Sequence, residues 1–207
     1  MKPHVSGLVL VTALGFLAGC QSTIEEAAVS STTQDPSPLS ISAGPPGSPW
    51  DPYASSPQPS EIRIPELGIR AQIQPVGMLN EQTMQVPRDI SVVGWFDASA
   101  FPASEVGHAV LVGHRDGVDD PNGVFRRISE LSKGDTVSVV DLGSRRSVYR
   151  IKRTRVLSRT QFAEQSASIF AEDGVHRLIL LTCGGAYDRE RGGYQSTVVV
   201  TAEPMTL

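Results

Sequence analysis

The sequence predicts a mainly β fold: a closed or nearly closed barrel of seven to eight short strands with one or two short helices. Three observations carry this. Segments such as Glu61-Ile62-Arg63-Ile64-Pro65 and Ile69 to Val76 alternate apolar and polar residues, the pattern of a half-buried strand. The run Leu178-Ile179-Leu180-Leu181 is too short for a helix and is followed within four residues by Gly184-Gly185, which fits a strand buried on both faces. Only one stretch, Val124, Phe125, Ile128 and Leu131, repeats at helical spacing.

In chain order, the first two strands are the alternating segments, with Pro65 and Pro75 at strand ends or sheet edges. Short strands follow at Ser91 to Phe96 and Ala109 to Gly113, between loops carrying Pro87, Asp97 and Pro102. The helical spacing from Val124 to Leu131 predicts one short helix over a barrel end or face. Thr136 to Asp141 and Ser147 to Val156 read as strands around a Leu142-Gly143-Ser144 turn. Phe162 to Phe170 reads as a loop with a short helix, and the last strands are Arg177 to Cys183 and Tyr194 to Ala202. No internal repeat and no second core is visible, so residues 61–207 form one domain.

The start of the 207-residue chain has a different character. Lys2 precedes an apolar run over residues 5–18 that is too short to span a bilayer, and Leu17-Ala18-Gly19-Cys20 follows. Residues 1–19 read as a secretory leader, and the four-residue arrangement resembles the bacterial lipobox, which implies lipid attachment at Cys20 and an extracytoplasmic address on the outer face of a membrane. Residues 20–60 are rich in Ser, Thr, Ala and Pro, with eight of the fifteen prolines between Pro36 and Pro59. They have no apolar period and read as a disordered tether, about 35 Å across as a coil and about 120 Å when stretched. Trp50 and Tyr53 within it read as chance aromatics. The formal net charge of −4 gives no reason to expect nucleic acid as a partner, so membrane attachment rests on the lipid.

The chain has two cysteines, Cys20 and Cys183. With Cys20 acylated, Cys183 is a single free thiol in an oxidising or uncontrolled compartment, where a thiol serving as filler is a liability. A cysteine in an apolar strand is by itself most often a small buried hydrophobe. As a nucleophile it needs a proton acceptor and a group to stabilise an oxyanion. His114 ends the apolar segment Gly107 to Gly113 and opens the polar loop Arg115-Asp116, a placement suited to titration near neutrality. His108 lies at even spacing from His114 and is a minor candidate; His176 reads as a solvated turn residue.

Taken together, Gly113-His114-Arg115-Asp116, Gly123-Val124-Phe125, Lys133-Gly134-Asp135, Thr182-Cys183-Gly184-Gly185 with Tyr187-Asp188, and Tyr194 before Val198-Val199-Val200 resemble the sortases of Gram-positive bacteria, most of all the class F sortases of actinobacteria. The resemblance spans Glu61 to the end. It implies a sortase-type barrel and a cysteine transpeptidase that cuts a Leu-Pro-x-Thr-Gly-like sorting signal between Thr and Gly and passes the acyl group to an amine. It implies partners of two kinds: secreted proteins with C-terminal sorting signals, and a cell-wall precursor or other amine acceptor. By resemblance Cys183 matches the nucleophile, His114 the acid/base, and Thr182 a substrate-positioning or oxyanion group. The arginine departs from the pattern, because Thr197 stands directly before the terminal strand and Gln195 two places earlier. Arg191 is the first choice, Arg189 the alternative and Arg115 the third.

The L,D-transpeptidases, resembling Ser-His-Gly-Cys with Arg two residues on, are a poor match, since Gly185 holds that slot. A lipid-anchored peptide-binding or adhesion barrel without catalysis is the alternative from outside enzymology. No cofactor is expected, and zinc is disfavoured because one cysteine and scattered histidines lack close ligand spacing.

Overall fold

The computed structural model describes residues 57–80 and 83–205. The leader, Cys20, Trp50, Tyr53 and residues 20–56 of the tether lie outside the described residues. The described residues form ten strands: β1 (Pro59–Ile64), β2 (Ile69–Val76), β3 (Met78–Asn80), β4 (Thr83–Met84), β5 (Val93–Phe96), β6 (His108–Val112), β7 (Thr136–Asp141), β8 (Arg146–Ser158), β9 (Arg177–Asp188) and β10 (Gly193–Pro204). Two short helices, α1 (Arg159–Glu164) and α2 (Ser166–Ile169), follow β8. Eight strands close into a barrel in the order β1-β2-β5-β6-β9-β10-β8-β7, and β3 pairs with β4 in a separate hairpin. The mainly β barrel with two short helices agrees with the architecture expected from the sequence.

Two of the eight barrel contacts are parallel, β2 with β5 and β6 with β9. Strands in parallel contact tend to be covered on both faces and so read as continuous apolar runs. The β9 run obeys this residue by residue. Leu178 and Leu180 point into the barrel with Ala109, Leu111, Val198 and Val200, while Ile179 and Leu181 point outward with Val110, Val112 and Val199. The outward row is roofed by Phe162 and Ile169 of the helices, by Phe170 that follows them, and by Phe96.

Five sequence expectations need correction. The helix expected from Val124 to Leu131 is a 3-10 turn at Ile128–Glu130, because the backbone of Gly123 and Phe125 bonds to the carbonyls of Arg115 and His114 instead of continuing its own helical ladder. The strand expected from Ser91 begins at Val93, since the Asp89 carboxylate accepts from both the backbone N–H and the hydroxyl of Ser91. β9 does not stop at Cys183 but runs on through both glycines to Asp188; Gly185 takes φ +71°, and a side chain at Gly184 would meet Val198 at 2.9 Å. His176 is no solvated turn residue: it is 3% exposed, donates from Nδ1 to Gly107 O at 2.8 Å, and accepts at Nε2 from the Tyr149 hydroxyl at 3.0 Å. Burial and the hydroxyl held against its ring keep it a core histidine. The barrel also takes in residues assigned to the tether, since Pro59 pairs with Asp141 and Gln58 O accepts from Leu142 N.

Candidate active site

The parallel β6–β9 pair builds the site. Its register runs from His108 beside Arg177 to Val112 beside Leu181. One step further, Gly113 N–H donates to Leu181 O at 3.1 Å and the Thr182 hydroxyl donates to Gly113 O at 2.8 Å. The two chains are thus clamped together immediately before His114 and Cys183, residues 69 apart in sequence. Side chains alternate across a strand, so Cys183 follows Ile179 and Leu181 to the outer face, and His114 opens the loop two residues past the outward-facing Val112. Both lie where the apolar roof ends: Cys183 is exposed and His114 half-buried.

Beyond Gly113 the chain leaves β9 and is held by its own loop. Gly123 and Phe125 bond to it through their N–H groups, and the Phe125 ring fills the space over Gly113, where any side chain would meet it at 2.6 Å. His114 Nε2 donates to Pro87 O at 2.7 Å. A carbonyl can only accept, so Nε2 carries the proton and in the neutral ring Nδ1 keeps the free lone pair.

Around the sulfur, Cys183 pairs with Thr197 on β10, which brings no charge. Charge comes from other segments. Burial first, and then the Asp116 carboxylate, push the Cys183 thiol above its ordinary value, while Arg115 and Arg159 pull it back. The resting sulfur is a thiol at neutral pH. The Tyr194 hydroxyl donates a hydrogen bond to Asp116 Oδ2, and the Arg115 guanidinium lies over the Tyr194 ring, 5.0 Å from its centroid. Arg115 Nε stands 4.0 Å from the Asp116 carboxylate. Tyr194, with that carboxylate accepting from it, has its own pKa raised.

The remaining candidates fall in different places. Arg191 pairs with Asp188 at 3.4 Å and its side chain is 77% exposed. Arg189 lies exposed in the same β9–β10 turn. Gln195, at the irregularity in the β9–β10 register, turns its amide back to Gly193 O of its own strand. Thr182 is buried, and its single hydroxyl proton is used on Gly113. His108 is also buried, bonded to Ile169 O at 3.1 Å, and sits at the opposite end of β6, about 20 Å from His114 at strand rise. Arg159 escaped the sequence reading. It opens α1 and donates to the carbonyls of Arg191, Gly192 and Tyr194 at 2.8–3.1 Å, bracing the β9–β10 turn from across the fold. Nothing in its local sequence marks that role. Among the described residues no cluster of His, Cys, Asp or Glu could hold a metal ion, and no helix is long and apolar enough to cross a membrane.

Residues 62–205 match the Sortase domain family. Among solved structures, sortase C1 of Streptococcus agalactiae is 18% identical with TM-score 0.52, over 72% of this chain and 67% of that one. Sortase C-1 of Actinomyces oris is 20% identical with TM-score 0.54, over 72% and 74%, and sortase C of Clostridium perfringens SM101 is 20% identical with TM-score 0.51, over 72% and 71%. No curated protein matches. Identities this low speak for the barrel alone, whereas the domain match runs from the first strand of that barrel to the end of the last, and on that ground the chain belongs to the sortase family of cysteine transpeptidases.

Proposed function

We propose that this chain is a catalytically active sortase of the class F type, held by a lipid on Cys20 at the outer face of the cell membrane. It cleaves a Leu-Pro-x-Thr-Gly-like sorting signal at Thr-Gly and passes the acyl group to an amine. The single observation that carries the reading is the clamp from Thr182 and Leu181 to Gly113, which ties the segment of the sole described thiol to that of His114 on one exposed rim.

The chemistry follows from the protonation states. Because the Cys183 proton is held tightly, the thiol needs a base, and the unprotonated Nδ1 of His114 is available while Nε2 rests on Pro87. As the proton moves to Nδ1, the sulfur bonds to the Thr carbonyl carbon and the C=O pair shifts to oxygen. The C–N bond then breaks, the imidazolium returns its proton to the departing Gly amine, and a thioester remains. An incoming amine loses a proton to His114 and attacks that thioester, and the sulfur leaves and is reprotonated; with water in place of the amine the product is the free acid. Thr182 acts as the brace beneath the nucleophile. The Leu-Pro-x-Thr-Gly signal and the envelope acceptor rest on the sequence resemblance.

The test is mass analysis of products from one Leu-Pro-x-Thr-Gly-type peptide, with and without an added amine. The wild type gives the Thr-acid product alone and the Thr-amide product when amine is present; Cys183→Ala gives neither while staying folded. Equal turnover by Cys183→Ala rejects the nucleophile, and tight peptide binding without any cleavage by the wild type favours the non-catalytic barrel.

A further inference from the structure

When the sulfur attacks a carbonyl carbon, a full negative charge gathers on the oxygen, and a desolvated site needs a donor already in place to receive it. The strand neighbour of Cys183 is the uncharged Thr197, and the next candidate on β10, Gln195, is turned onto its own backbone. The β9–β10 turn offers Arg191, which is paired with Asp188 and mostly in water. Arg159 gives its N–H groups to three backbone carbonyls. Arg115 differs from all of these. It directly follows His114 and is half-buried; among the described residues its guanidinium donates no hydrogen bond, with the Asp116 carboxylate 4.0 Å away. Its plane is steadied by the Tyr194 ring, a contact that orients a guanidinium without using its donors. Tyr194 is itself fixed, because its hydroxyl is bonded to Asp116 and its carbonyl to Arg159.

We propose that Arg115, steadied on Tyr194 and balanced by Asp116, is the cation that receives the oxyanion beside Cys183, in place of the arginines of the β9–β10 turn. The catalytic cation of this chain thereby comes from the histidine loop. Tyr194 and Asp116 are positioning residues: the ring sets the guanidinium plane, and the carboxylate neutralises the cation while the site is empty. Burial first, and the Asp116 carboxylate second, hold the thiol proton against the pull of Arg115 and Arg159. The word oxyanion rests on the transpeptidase reading; the seat of the guanidinium on the Tyr194 ring does not.

The experiment therefore has two readouts. The first, independent of any substrate, is the pH profile of Cys183 alkylation by iodoacetamide in Arg115→Ala, Arg115→Lys, Asp116→Asn, Arg189→Ala and Arg191→Ala, each checked for a wild-type melting profile. Arg115→Ala moves the alkylation midpoint up, Arg115→Lys restores it toward wild type, Asp116→Asn moves it down, and the two turn variants shift it less than Arg115→Ala does. The second is kcat/KM on the peptide. There Arg115→Ala loses about 10²–10³-fold, the size seen when one oxyanion donor is removed, and Arg189→Ala and Arg191→Ala lose at least ten times less. A midpoint that ignores Arg115→Ala, or a turn variant matching its loss in kcat/KM, overturns the proposal. A wild type that cleaves nothing while Arg115→Ala still shifts the midpoint rejects the transpeptidase reading and leaves the cation where it is assigned.

Discussion

The substitution Thr182→Val isolates the clamp on which the site rests. Valine keeps the volume and branching of threonine but has no hydroxyl, so the buried Gly113 carbonyl loses the donor now 2.8 Å away. A buried acceptor left without its partner costs about 1–3 kcal/mol. The neighbouring bond from Gly113 N–H to Leu181 O survives, so the β6–β9 pairing persists and the damage centres on the rim that carries His114 and Cys183. For a domain of this size each kcal/mol lowers the melting temperature by about 2–4 °C, a drop of roughly 2–12 °C in all. Urea unfolding gives the free energy directly, and peptide turnover is measured beside it. Thr182→Ser keeps the hydroxyl and loses one methyl, so it should retain turnover and the bond to Gly113 with a loss of about 1 kcal/mol. If Thr182→Val is as stable as wild type yet loses turnover, the brace is refuted and the hydroxyl acts on the substrate.

Two further outcomes follow from the same packing. A methyl at Gly123 would meet the Arg115 carbonyl carbon at 2.6 Å and the His114 carbonyl closer still, so Gly123→Ala should displace the histidine loop. It costs about 1–3 kcal/mol, with turnover falling more steeply than in a core variant of equal stability; equal losses would mean the loop has freedom the structure denies it. His176, whose pKa is lowered mainly by burial, is held neutral in the fold. Its contribution is full above its ordinary value of 6.5 and is lost as pH falls below that, because the unfolded chain takes up the proton first. Thermal melts between about pH 7.5 and pH 5 should show this decline, with a shallower slope in His176→Gln; identical slopes would remove His176 from the account.

Much of the barrel was readable from local rules. Period-two alternation located β1 and β2, and four successive aliphatics before a Gly pair marked a strand covered on both faces. His114 and Cys183 were also legible, because a strand-end histidine entering a polar loop and a free thiol are written in the chain. Parallel pairing was not, since it joins β6 to β9 across most of the domain and leaves no local mark. Nor was the fate of His176, whose flanking turn residues read as solvated until Tyr149 is brought against it.

The arginines divide the two kinds of knowledge most sharply. The sequence, with the resemblance it carries, raised the expectation of a cation near Cys183 and placed only Thr197 and Gln195 where that cation was looked for. Spacing along the chain favoured Arg191, but charge acts through distance in space and through what already neutralises it. Only the folded chain sends Arg191 out to Asp188 and water, turns Arg159 to the backbone, and lays Arg115 across Tyr194.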